Sequence, residues 1–250
     1  MSKLFAKFVV LGILMLLPHL ALGQTVICVT DPVPEGYVYV SSERASYCVN
    51  GYGMRIEPAA NNQYICITSP VPSPFVVVAA DSNTAVCGGV GRKLIRTAQS
   101  GMLVCTDSPI PPGFVITSNE STRGQCAVGR FGISVVTPGI VACSNSPIPS
   151  PYVVVANSST ARCGTIFTGI TLRQAYDGIT ICATSPVPTG FVITSIGSGC
   201  NQFGTYRLAT PRENLTVCLN SPVPPGWRKG REIQANNCGY YNRAFYIHQI

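Results

Sequence analysis

The chain has 250 residues and a formal net charge of +7, and only 11% of it is charged, under half the roughly 25% of an ordinary soluble domain. Hydrophobic residues make up 46%, and 24 glycines with 20 prolines stay below the disordered range. This excludes a disordered chain and predicts one or two domains, or one repeat array, with a polar but mostly uncharged surface.

The chain opens with Lys3 and Lys7, followed by an apolar run of ten residues from Phe8 to Leu17. Ala21-Leu22-Gly23 then offers a small-x-small cleavage site before Gln24. This is the layout of a secretory signal peptide over residues 1–23. A transmembrane anchor would need ~20 apolar residues, so no membrane span is expected in the mature chain. Loss of the leader lowers the formal charge to +5, of which residues 201–250 carry +4.

Beyond the leader the cysteines mark a period. The first of each pair stands at Cys28, Cys66, Cys105, Cys143, Cys182 and Cys218. The second stands at Cys48, Cys87, Cys126, Cys163, Cys200 and Cys238, 18 to 21 residues later. Around the first cysteine the text itself repeats, from CVTDPVPEGYV through CITSPVPSPFV to CLNSPVPPGWR. Six tandem units of about 38 residues follow, at 24–61, 62–100, 101–138, 139–177, 178–213 and 214–250. Copies two and four share a Pro-aromatic version (SPFVVVA, SPYVVVA), and copies three and five a Gly-aromatic one (PGFVITS, TGFVITS). That alternation predicts alternating environments for neighbouring units.

Within a unit four short extended segments are expected. They are the leading-cysteine run (Tyr64 to Ile67), the run after the prolines (Phe75 to Val78), the second-cysteine run (Gln125 to Val128) and a last run such as Lys93 to Arg96. Short runs rich in Val, Ile, Thr and aromatics, bounded by Gly, Pro, Asn and Ser, are strands. No window holds a 3.6-residue apolar period, and proline recurs too often for helices. The predicted fold is therefore all-β, with three to four short strands per unit in a linear array; a closed six-bladed, propeller-like ring is the alternative. Gly101 and Asp177-Gly178 fit hairpin turns between units. The Pro-[VI]-Pro step should hold an extended connector at a sheet edge or corner, since neither proline can donate to a ladder.

Twelve cysteines in an exported array imply disulfides rather than metal sites, and the spacing lacks the paired form of zinc ligands. Pairing within units uses all twelve, whereas pairing each second cysteine with the next unit's first strands Cys28 and Cys238 unless they close a ring. A loop of this length contributes about 3 kcal/mol on the chain-entropy model. One aromatic follows the prolines in every unit: Tyr37, Phe75, Phe114, Tyr152, Phe191 and Trp227. The row is read as unit core, and alternatively as a platform on which sugar rings stack.

Little chemistry is offered. Beyond the leader the only histidine is His248, and no G-x-S-x-G, H-E-x-x-H, phosphate-loop or dinucleotide motif occurs. The carboxylates are scattered, and no pair repeats between copies, so the chain is expected to be non-enzymatic, without metal or cofactor. No nucleic-acid motif accompanies the basic residues. Sequons occur at Asn119, Asn157 and Asn214.

The last unit departs from the pattern. Where other copies read FVVV or FVIT, it reads Trp227-Arg228-Lys229-Gly230-Arg231. With Arg243 these cations form a basic patch, read as the polar outer face of a C-terminal cap. An anion site is the other reading. The sequence predicts a secreted structural or surface-interaction protein, a matrix, fibre or adhesion component. Its partners would be itself or extracellular polymers and proteins. A carbohydrate-binding module using the aromatic row is the alternative.

Overall fold

The computed structural model describes residues 25–120, 125–239 and 242–250. The leader lies outside the described residues. The fold is all-β: six three-stranded antiparallel sheets in tandem, one per unit, in an array that does not close on itself. Unit one holds β1 (Thr25–Cys28), β2 (Tyr37–Arg44) and β3 (Tyr52–Pro58). Unit two holds β4 (Gln63–Cys66), β5 (Phe75–Asp81) and β6 (Arg92–Thr97). Unit three holds β7 (Met102–Cys105), β8 (Phe114–Glu120) and β9 (Arg130–Val135). Unit four holds β10 (Val141–Cys143), β11 (Tyr152–Ser158) and β12 (Gly169–Gln174). Unit five holds β13 (Thr180–Cys182), β14 (Val192–Gly197) and β15 (Thr205–Ala209), and unit six β16 (Leu215–Cys218), β17 (Trp227–Gln234) and β18 (Arg243–Gln249).

In every sheet the third strand is central, as in the order β1-β3-β2. The proline connector therefore carries the chain from one edge of the sheet to the other, a path that needs no ladder donors. The expected strand around the second cysteine is absent: Gln125 to Val128 forms turns and bends, Ala161–Cys163 a single 3-10 turn, and Cys87 and Cys238 only isolated bridges. The disulfide explains this, because it ties the end of the first strand to the loop joining the second and third. The six bonds are Cys28–Cys48, Cys66–Cys87, Cys105–Cys126, Cys143–Cys163, Cys182–Cys200 and Cys218–Cys238, all within units. Such pairing belongs to an oxidising, extracellular-type environment. No helix of the described residues is long and apolar enough to cross a membrane.

Two further expectations are corrected. The turn at Gly101 (φ +82°) is not a hairpin, because β6 and β7, which flank it, lie in different sheets. The same holds at Gly178. The Pro-aromatic and Gly-aromatic versions do not mark alternating environments either. They are two ways of making one turn, in which the aromatic N–H donates to the second proline's carbonyl, 2.8 to 3.2 Å away in all six units. Four units use a glycine at positive φ before the aromatic (Gly36, Gly113, Gly190, Gly226), and two use cis Ser73–Pro74 and Ser150–Pro151. A turn with φ > 0 at its third residue calls for glycine, and a cis proline at that place makes the alternative type.

The second strand is buried on both faces, which is why it reads as a continuous apolar run. Val38, Val76, Val115, Val153 and Val192 are each 0% exposed. They pack into the next unit's core: Val38 with Ile65 and Ile95, Val115 with Ala142 and Leu172, Val192 with Val217 and Ile247. Full burial of one valine is worth about 1.5–3 kcal/mol, so each junction adds to the stability of a unit of this size.

Candidate interaction surfaces

Each junction has the same polar centre. The serine of the repeated T-S-P, D-S-P or N-S-P text is buried, and its Oγ accepts the backbone N–H of the preceding unit's second strand. The pairs are Tyr39 to Ser69, Val77 to Ser108, Ile116 to Ser146, Val154 to Ser185 and Ile193 to Ser221, at 2.8 to 2.9 Å. The N–H points outward because the second strand is a sheet edge, where alternate N–H groups face away from the ladder, and a bulge follows it, for example between Val77 and Ala79. The serine hydroxyl donates in turn to its own proline's carbonyl, as Ser108 does to Pro109 at 3.1 Å. Sequence reading missed these serines as functional positions. Their signal was present: the position is Ser in five copies and Asp31 in the first.

The aromatic row is packed into unit cores. Tyr152 is 8% exposed, and Tyr37, Phe75, Phe114, Phe191 and Trp227 are half-buried against the apolar clusters of their units. Standing in solvent instead is at least one large apolar side chain on or just beyond the second-cysteine loop of units one to five. Val49 is 97% exposed, Val128 74%, Ile166 82% and Phe203 67%, while Val90 is 36%. Their distance from the cysteine varies by one or two residues, so no fixed spacing revealed them. Between units one and two, Val29, Val49, Tyr52, Met54 and Val90 line a mainly apolar groove of about 620 Å³.

The expected basic patch is split. Arg228, Lys229 and Arg231 are exposed on β17, an edge strand, while Arg243 lies toward the other end of the sheet on β18, opposite Gln234. Lys229 Nζ lies 4.8 Å from the centre of the Phe245 ring, and Arg243 forms an ion pair with Glu232. Arg228 occupies the position of the valines that enter the next unit.

Most carboxylates are engaged locally. Arg92 pairs with Asp81 at 2.9 Å, Arg130 with Glu120 at 3.2 Å and Arg55 with Glu57 at 2.8 Å. The Arg92 side chain holds Asp81 below the ordinary aspartate range. His248 Nδ1 is 2.7 Å from Glu213, which together with the Gln249 N–H lowers that carboxyl. Burial, then the charge of Asp31, raises Tyr39. Lys93 is lowered by burial and donates to the Ser69 carbonyl at 2.7 Å. Among the described residues no three His, Cys, Asp or Glu are grouped to hold a metal.

Of the sequon asparagines, Asn214 is exposed in a turn at positive φ. Asn119 is half-buried, and Asn157 Nδ2 donates across a junction to the Cys200 carbonyl at 3.2 Å. No family model, no curated protein and no solved structure matches the chain.

Proposed function

We propose that the chain is an exported, non-enzymatic structural or surface-interaction protein, a component of a matrix, fibre or adhesive layer. The observation that carries this reading is the exposed apolar side chain at the second-cysteine loop of successive units. A single such residue is ordinary on any surface. Repeated on a disulfide-held frame, it gives several weak contacts that act together, because the first to engage raises the effective concentration of the rest. The within-unit disulfides and the leader pattern support export.

The test is retention of the folded chain on insoluble cellulose, chitin and collagen-coated beads. Replacing Val49, Val128, Ile166 and Phe203 with serine, one after another, is expected to lower retention stepwise on at least one support. Unchanged retention would remove the loops from the reading. A Tyr37→Ala, Trp227→Ala variant that stays folded yet loses polysaccharide binding would favour the aromatic row instead.

A further inference from the structure

The five internal junctions define a head and a tail for every unit. The tail is the outward N–H of the second strand with the valine beside it, and the head is the motif serine with the residue before the first cysteine. Among the described residues, the head of unit one and the tail of unit six are covered by no other unit. At the free head, Ile27 and Cys28 are only half-buried, whereas their counterparts Ile65 and Cys66, Val104 and Cys105, and Ala142 and Cys143 are 0% or 1% exposed. At the free tail, Lys229 holds the place of Tyr39, Val77, Ile116, Val154 and Ile193.

Both ends change chemistry at the positions that meet inside the array, and they change in opposite senses. The head serine becomes Asp31, whose carboxylate is exposed and accepts only the Cys28 N–H at 3.0 Å. The tail valine and its neighbour become Arg228 and Lys229, both exposed. The wider bulge of β17, between Lys229 and Glu232, brings out Arg231 as a third cation. The imbalance extends to whole units. The first has Asp31, Glu35, Glu43 and Glu57 against Arg44 and Arg55, and the last has Arg228, Lys229, Arg231 and Arg243 against Glu232.

We propose that the chain associates head to tail with further copies of itself through this charged end pair. In the internal register the Asp31 carboxylate takes the serine's place and accepts the Lys229 N–H, beside the Arg228 and Lys229 side chains. A charge-assisted bond of this kind is stronger than the neutral one it replaces. Arg228 does not follow valine into the apolar slot, because an unpaired buried cation is too costly. The contact thus stays at the rim, exposed to salt and reversible, unlike the internal junctions. The opposite charges of the end units also orient approaching copies.

Sedimentation velocity of the full mature chain over a concentration series tests this. The weight-average sedimentation coefficient is expected to rise with concentration at an ionic strength of about 0.01 M and not at about 1 M. Asp31→Asn keeps an acceptor for the Cys28 N–H and removes only the charge; it is expected to weaken association roughly tenfold. Asp31→Lys and Arg228→Glu/Lys229→Glu chains should each be monomeric alone, having like-charged ends, and should associate when mixed in equal amounts. Circular dichroism of each variant establishes that it is folded. A native chain monomeric at every concentration in low salt would overturn the proposal, as would association indifferent to the Asp31 and Arg228/Lys229 changes. Retention on heparin through Arg228 and Lys229 without self-association would also overturn it, and would assign the tail to an acidic polymer.

Discussion

At each junction one serine hydroxyl bonds two groups at once, accepting an N–H from the preceding unit and donating to its own proline carbonyl. Removing it leaves a donor with neither protein nor water to meet, which costs more than a hydrogen bond gains. Ser108→Ala is therefore expected to destabilise the chain by about 1–3 kcal/mol, measured by denaturant unfolding, with Val77 N–H the orphaned group. The exposed carboxylates act on a smaller scale. Asp81 is lowered chiefly by the Arg92 side chain, Asp177 by the Thr210 N–H and hydroxyl, and Glu213 by His248. A lowered folded pKa contributes stability that is complete above the ordinary values of 3.8 and 4.5 and is lost as pH falls through the folded values. The melting temperature should hold from about pH 7 to 5 and fall below about pH 4. Because these groups are exposed, the fall should be shallow; an Asp177→Asn chain that melts slightly below the native one in neutral buffer, with the gap closing in acid, would identify the contribution.

The second strand is the element that does most for the architecture. Its alternate faces serve two units, so its apolar run cannot end without exposing one of them. In β17 that face is polar: Arg228 stands where Val192 and its counterparts are buried, and Phe245 beneath is covered by Lys229. Changing Arg228, Lys229 and Arg231 to Val, Ile and Thr restores the internal pattern on a strand with no following unit. The fold is expected to survive, since all three side chains are exposed and the replacements are those the internal units carry, while the chain should associate end to end more tightly than the native protein. Unlike the native contact, this association should persist at about 1 M salt, because apolar burial is not screened. Sedimentation at both ionic strengths measures it, and a variant that remains monomeric would count against the head-and-tail assignment.

Across the whole molecule, contacts run from each unit to the next, so stability is approximately a sum of unit and junction contributions. The open arrangement of six sheets predicts a maximum dimension in small-angle scattering well beyond that of a compact globule of the same mass. A scattering profile typical of such a globule would contradict an array that leaves its ends apart.

The tandem repeat and the all-β class were legible in the amino-acid sequence alone, because cysteine spacing, Pro-x-Pro text and short β-branched runs are local signals. The distinct character of the last unit was legible for the same reason, since Arg228 and Lys229 break a pattern set by four preceding copies. The central place of the third strand was not, because sheet order depends on pairings between residues far apart in the chain. The second-cysteine segment looked extended by composition, yet a disulfide pulling it to the end of the first strand makes it a turn. The partner of the motif serine was not legible, because it lies in the neighbouring unit, about thirty residues away. Asp31 occupies the same position in the first copy. Its meaning, like that of Arg228, appears only when the units are stacked, because a head and a tail exist only as surfaces that another unit covers or leaves bare.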